Sequence, residues 1–173
     1  MAAFTISMTG PFPSGFTSGL GGPNTGDHQP PHWYIQFGMD LGAVAGTVVR
    51  AAFDAHVTKF TPHTPSSDTS KVYGAQIFMR SPNDMMGGFY THITNVPKEL
   101  GVDSIVRTGD PLGAVIAREP AHLHLALVEI IGGGPGGTYT GVDLYSLFQD
   151  MAKDPSAVKS VTFNQDGSPP TVA

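Results

Sequence analysis

The stretch from Ala121 to Glu129, Ala-His-Leu-His-Leu-Ala-Leu-Val-Glu, constrains the fold more than any other part of this sequence. It contains no glycine or proline and is rich in Leu and Val. Pro120 precedes it and Gly132-Gly133-Gly134 follows it, so it reads as a buried strand over Ala121–Ile131. Side chains alternate across a strand, which puts His122 and His124 on one face and Leu123, Leu125 and Leu127 on the other. Two imidazoles about 7 Å apart on one strand face suit a metal site or an acid–base pair. On a half-exposed strand they are equally two satisfied polar residues.

The rest of the chain supplies neighbours for that strand. Among 173 residues, 22 glycines and 15 prolines cut the sequence into short segments joined by turns and long loops. That pattern favours a mostly β fold. Strand signals fall at Trp33–Phe37, Thr47–Phe53, Ala55–Phe60, Val72–Arg80, Gly88–Ile93, Ser104–Arg107 and Leu112–Ala117. A further strand is predicted at Phe4–Met8, and an edge strand at Ser160–Phe163. One helix is predicted over Val142–Ala152, where Leu144, Leu147, Phe148 and Met151 share a face. Residues 1–31 read as a Gly/Pro-rich loop segment, with Gly19–Pro31 too rich in turn residues for regular structure. Residues 32–153 read as the β domain and 154–173 as its tail.

Composition removes several classes of function. The net charge is -5 and there is no basic run, which argues against nucleic acid as a partner. With no cysteine, disulfides and thiolate sites are excluded, and any metal must sit on His, Asp, Glu or an amide oxygen. No apolar run is long enough for a membrane-spanning helix. The first ten residues show neither a basic segment nor a long apolar core, so no signal peptide is expected. Localisation and oligomeric state stay open at this stage.

Four polar stations run along these strands. The first is Gln36-Phe37-Gly38-Met39-Asp40, followed by Gly46-Thr47-Val48-Val49. The second is Gly88-Phe89-Tyr90-Thr91-His92. The third is Val106-Arg107-Thr108-Gly109-Asp110-Pro111-Leu112-Gly113, and the fourth is His122-Leu123-His124. In this order they resemble the LytM/lysostaphin-type zinc metallopeptidases, peptidase family M23. That family reads His-x-Gly-x-Asp, Gly-Thr-x-Val, Tyr-x-His, a Gly-Asp turn and His-x-His. The resemblance covers about residues 33–148, including the closing Val142-Asp143-Leu144-Tyr145. It implies an antiparallel β-sheet or sandwich domain of the M23 type, with long loops and one C-terminal helix. It also implies that Asp40 and His124 are zinc ligands, and that His92 and His122 are catalytic imidazoles that handle protons and stabilise the oxyanion.

One position departs from the family pattern: Gln36 stands where the family has its first metal-binding His. A catalytic zinc takes three protein ligands and keeps an open position. An amide oxygen is a poor zinc ligand beside neutral imidazole, so losing one strong ligand costs on the order of 3 kcal/mol. Three outcomes follow. Zinc binds weakly through Asp40, His124 and Gln36 or a water; an imidazole from just upstream, His28 or His32, replaces the missing one; or the site holds no metal and the fold is used for binding alone. With Trp33–Phe37 as a strand, His32 lies about 13 Å from Gln36, so it needs a bend at Pro30-Pro31. The reading adopted from sequence is the third: a non-cleaving, lectin-like protein that binds carbohydrate or peptidoglycan in a groove lined by Trp33, Tyr73 and Tyr90. A zinc endopeptidase acting on glycine-rich or cross-link peptides with an altered ligand set is the first alternative. A protein-binding regulatory pseudo-enzyme is the second. His56 and His63 are expected to face solvent.

Overall fold

The computed structural model describes residues 2–64 and 73–173. The central element is β10 (His122–Ile131). It pairs antiparallel on one side with β3 (Gly38–Ala43) and on the other with β7 (Met86–Thr94). Its residues from His122 to Ile130 are all buried, as expected for an apolar strand covered on both faces. Leu123, Leu125 and Leu127 join Met39, Leu41, Phe53 and Tyr90 in the main core. Fully burying one such leucine contributes roughly 1.5–3 kcal/mol, so this strand anchors the sheet.

The sheet extends outward from this centre. Beyond β3 lies β2 (Phe16–Gly21); beyond β7 come β6 (Ala75–Arg80), β5 (Ala55–Thr61) and the short β8 (Ile105–Val106). A pair formed by β4 (Val48–Arg50) and β9 (Pro111–Val115) joins the end of β7, and β11 (Thr138–Val142) pairs with the far half of β10. A second sheet has β12 (Val158–Phe163) between β1 (Phe4–Thr9) and β13 (Thr171–Val172). Two helices complete the described residues: α1 (Trp33–Gln36) and α2 (Tyr145–Lys153). No helix there is long and apolar enough to cross a membrane.

The fold class read from the sequence, a mostly β antiparallel domain of M23 type with one C-terminal helix, is the class observed, with several local differences. Trp33–Phe37 is a helical turn, closed by hydrogen bonds from Gln36 N–H to the His32 carbonyl (2.8 Å) and from Phe37 N–H to the Trp33 carbonyl (2.9 Å). The aromatic run that suggested a strand instead lies half-buried against the sheet, with Tyr34 on Phe78 and Phe89. Strand preference of aromatics reflects packing context more than the backbone, and here packing favours the turn. The N-terminal segment is not all loop, because β2 bonds to β3 through an irregular register that accommodates its glycines. The helix begins at Tyr145, since Val142 still pairs with Leu127 as the last residue of β11. Ser160–Phe163 belongs to a central strand rather than an edge, held on one side by β1 and on the other by β13. The strand predicted from Val72 starts at Ala75; residues 65–72, including part of the expected turn cluster, lie outside the described residues.

Candidate metal centre

Register places the candidate ligands together. Asp40 on β3 sits directly across from His124 on β10, and such cross-strand partners have Cβ atoms about 4.5–5.5 Å apart. Gly38, two residues earlier on the same face, is required by this arrangement: a Cβ there would fall into the His124 ring. His122 lies one pleat along β10 from His124, as alternation predicts.

His92 reaches the site by a different route. In an unbroken strand it would share the face of Tyr90, which points into the core. Here β7 is irregular against β6: Thr91 pairs with Gln76 and Ile93 with Ala75, leaving His92 as the extra residue. His92 adopts a left-handed φ of +68°, and Tyr90 and Ile93, three residues apart, both face the core. Bulges re-aim side chains in this way. The His92 ring meets His122 edge-on at 4.8 Å between centroids.

The third candidate ligand comes from the loop between β2 and α1. His28 is 6% exposed, and its Nε2 lies 3.2 Å from Asp40 Oδ2. His124 Nδ1 lies 3.2 Å from Asp40 Oδ1. The ligand atoms of His28, Asp40 and His124 all fall within 4.8 Å of one another. Tetrahedral zinc with bonds of about 2.0–2.1 Å sets its ligand atoms roughly 3.3 Å apart. Charge-assisted hydrogen bonds are shorter, about 2.7–2.9 Å.

Proton placement makes the same point. The outer nitrogen of each imidazole donates to a backbone carbonyl: His28 Nδ1–H to Gly22 at 2.9 Å, and His124 Nε2–H to Tyr34 at 2.7 Å. In neutral rings both inner nitrogens therefore turn lone pairs toward a carboxylate. Acceptors facing one another need a proton or a cation between them, and carbonyl contacts that fix the tautomer are the usual outer shell of a metal-binding His. This donor set of two imidazoles and one carboxylate fits zinc. Without a metal, the arrangement draws in a proton: the Asp40 hydrogen bond raises the His28 pKa against its burial. Burial alone would push the Asp40 carboxyl up, but the His124 and His28 contacts hold it well below the usual carboxylate range.

The second pair of imidazoles, His92 and His122, is held by different contacts. His122 Nδ1–H donates to the Pro120 carbonyl at 2.7 Å, leaving Nε2 free and 3.8 Å from Asp40 Oδ1. His92 Nδ1 faces the Tyr73 carbonyl at 2.8 Å and the Arg118 guanidinium at 3.3 Å. The shorter contact assigns the proton to Nδ1, with Arg118 as an adjacent cation. Burial, with His122 and Arg118 as neighbours, pushes the His92 imidazole down to about 3. Burial thus keeps it a neutral ring near neutral pH, with its Nε2 unprotonated.

No protein-family model and no curated protein sequence matches this chain. Solved structures do. The antimicrobial peptidase lysostaphin from Staphylococcus simulans superposes with a TM-score of 0.54 at 16% identity, over 87% of this chain and 57% of lysostaphin. The catalytic domain of the prophage-encoded M23 protein EnpA from Enterococcus faecalis, a point mutant, superposes with a TM-score of 0.51 at 17% identity, over 77% of this chain and 93% of that domain. A zinc-containing peptidase from Vibrio cholerae gives 0.50 at 13% identity, over 80% of this chain and 39% of its own. The chain has the M23, LytM-type fold. It spans little more than half of lysostaphin and nearly the whole of the EnpA domain.

On this M23-type fold, Asp40, His124, His92 and His122 come together in one cluster, the two β10 histidines buried and Asp40 and His92 half-buried. The other sequence-predicted residues do not join it. Gln36 donates its side-chain N–H to Asn24 Oδ1 at 2.8 Å, and His28 instead brings the third atom that could hold a metal. His32 stacks on Tyr34 at the outside of α1. Tyr90 is no groove residue: it is fully buried, and its hydroxyl accepts the Ala52 N–H. Tyr73 touches the site through its carbonyl, and the residue is 54% exposed. Trp33 does line a cavity of about 370 Å³, with Tyr34, Phe78, Tyr139, Lys59 and Arg80. His56 is not simply solvated but pairs with Asp84 at 2.6 Å, and His63 is half-buried. The supporting carbonyls of Gly22, Tyr34 and Pro120 carry no sequence signal, because any residue provides a carbonyl.

Proposed function

We propose that this chain is a zinc-dependent peptidase of the M23 type, with His28 replacing the ligand that the family takes from the position of Gln36. The observation that carries this reading is the set of inward lone pairs on His28, Asp40 and His124, with both imidazole tautomers fixed by backbone carbonyls. Zinc held there would polarise a peptide carbonyl and make a water nucleophilic near neutral pH. The protein's own contribution is His92 and His122, two imidazoles set edge-on with Nδ1 of each held at a backbone carbonyl. One accepts the proton released by the attacking water and returns it to the leaving amine. The other stabilises negative charge on the carbonyl oxygen. The cavity beside Tyr34 supports an extended peptide or muropeptide lying along the sheet, with aromatic walls and cationic Lys59 and Arg80 at its rim.

The test is turnover of a pentaglycine peptide by protein loaded with zinc. The expected result is cleavage that stops in chelator and returns with zinc. His92→Ala should abolish cleavage while leaving one zinc per chain. Protein that takes up no zinc at micromolar concentration would refute the proposal. A second reading, a lectin-like protein that binds glycan or peptidoglycan without cutting it, draws support from Gln36 and from the Trp33 cavity. Absence of zinc together with Trp33-dependent binding to muropeptides would favour it.

A further inference from the structure

Gln36 occupies the place of a family ligand yet spends its side chain elsewhere, and the loop it contacts is the one that delivers His28. The loop is braced internally. Thr25 Oγ1–H donates to the Gly22 carbonyl at 2.6 Å, His28 N–H donates to the Thr25 carbonyl at 2.8 Å, and the His28 ring donates to Gly22. These bonds fix His28 relative to Gly22 and Thr25, but they do not fix the loop relative to Asp40. The pairing of Gly21 with Asp40 does so at the loop's start, and two further contacts do so beyond it. Beneath the loop, Gly22 rests on the Tyr145 ring so closely that a Cβ there would lie 2.5 Å from it, and the Tyr145 hydroxyl accepts the Gly21 N–H at 3.0 Å. At its side, Asn24 forms a two-point clasp with Gln36. Asn24 N–H donates to the Gln36 carbonyl at 2.9 Å, and Gln36 Nε2–H donates to Asn24 Oδ1 at 2.8 Å. Gln36 is four residues before Asp40, so the clasp ties the loop to the chain segment that carries the central ligand.

Resting on the zinc reading above, we propose that Gln36 is a positioning residue: through Asn24 it holds the loop that presents His28 to Asp40. The residue at position 36 thus still serves the metal, at one remove. Asn24 has a left-handed φ of +62°, a conformation Asn and Gly accept readily, so Asn24→Gly removes the clasp side chain without straining the backbone. Outer-shell substitutions typically cost about 10–100-fold in metal affinity.

The experiment measures zinc affinity by chelator competition for the intact protein, Gln36→Ala, Asn24→Gly and the double variant. Each single variant should weaken zinc by about tenfold, and the double variant by no more than either single one, because both remove the same contact. Gln36→Glu should recover most of the affinity, since the Asn24 amide can turn its N–H toward a carboxylate. A second readout needs no metal. The His28 and His124 rings meet edge-on at 5.2 Å, close enough for a proton–proton NOE in the metal-free protein, which should disappear in Gln36→Ala and persist in Gln36→Glu. Zinc affinity within twofold of the parent in Gln36→Ala, or additive losses in the double variant, would overturn the proposal. If the parent binds no zinc yet loses the NOE in Gln36→Ala, the clasp stands and the zinc reading fails.

Discussion

Replacing His28 by alanine separates a site with three protein ligands from one with two. In the intact site Asp40 has an imidazole nitrogen 3.2 Å from each oxygen. His28→Ala removes one of them and leaves the Gly22 carbonyl with the Thr25 hydroxyl as its donor. Four-ligand structural zinc sites are worth roughly 10–16 kcal/mol, so one strong ligand corresponds to about 3 kcal/mol. At about 1.4 kcal/mol per decade, that is roughly a 150-fold loss of affinity. Gln36 cannot compensate, because its amide is engaged by Asn24 and is a weak ligand in any case. The assay is competition with a chromophoric chelator, backed by the visible spectrum of the cobalt-substituted protein, whose intensity falls as tetrahedral coordination is lost. Fold integrity is checked by thermal melting in chelator. A dissociation constant within threefold of the parent, with an unchanged cobalt spectrum, would refute the assignment of His28 and return attention to Gln36.

Gly38→Ala should act on the same centre from the other side: the new methyl meets the His124 ring, so zinc affinity should fall at least tenfold while His28 stays in place, as read by the same competition. In chelated protein the two kinds of imidazole should respond oppositely to pH. The raised His28 pKa contributes stability that is full below about 6.5 and lost as pH rises through its folded value, so His28→Ala should lower the melting temperature more at pH 5 than at pH 8. His92, pushed down to about 3, contributes stability that is present above 6.5 and lost as pH falls, so His92→Gln should flatten the acid side of the melting-temperature profile. Tyr90→Phe should destabilise the fold by about 1–3 kcal/mol in denaturant titration, because the buried Ala52 N–H loses its acceptor, without changing zinc affinity.

The sequence shows most clearly what strands determine. Leu and Val at alternate positions of Ala121–Ile131 locate the central strand, and alternation alone puts His122 and His124 on one face. Asp40 and Gly38 follow from their motif, and the clash between a Gly38 Cβ and the His124 ring gives that motif a physical reason. Loops and irregular backbone are less legible. His28 sits among Gly, Pro, Asn and Thr with no periodicity to say where its ring points; only the turn from Gly22 to His28, latched by Gln36 and Tyr145, sends it to Asp40. Tyr90 misled for a related reason: an aromatic one strand away from a site reads as a wall until burial shows that it faces the core.

The irregularity at His92 makes residue count part of the chemistry. Either side of it, β7 presents opposite parities to the core, so its two halves can be lengthened or shortened only in even steps. Deleting a single residue there would restore a regular ladder and a tidier sheet. If that residue is His92, the ladder loses the imidazole partner of His122, leaving a well-folded protein with one proton acceptor where there are two.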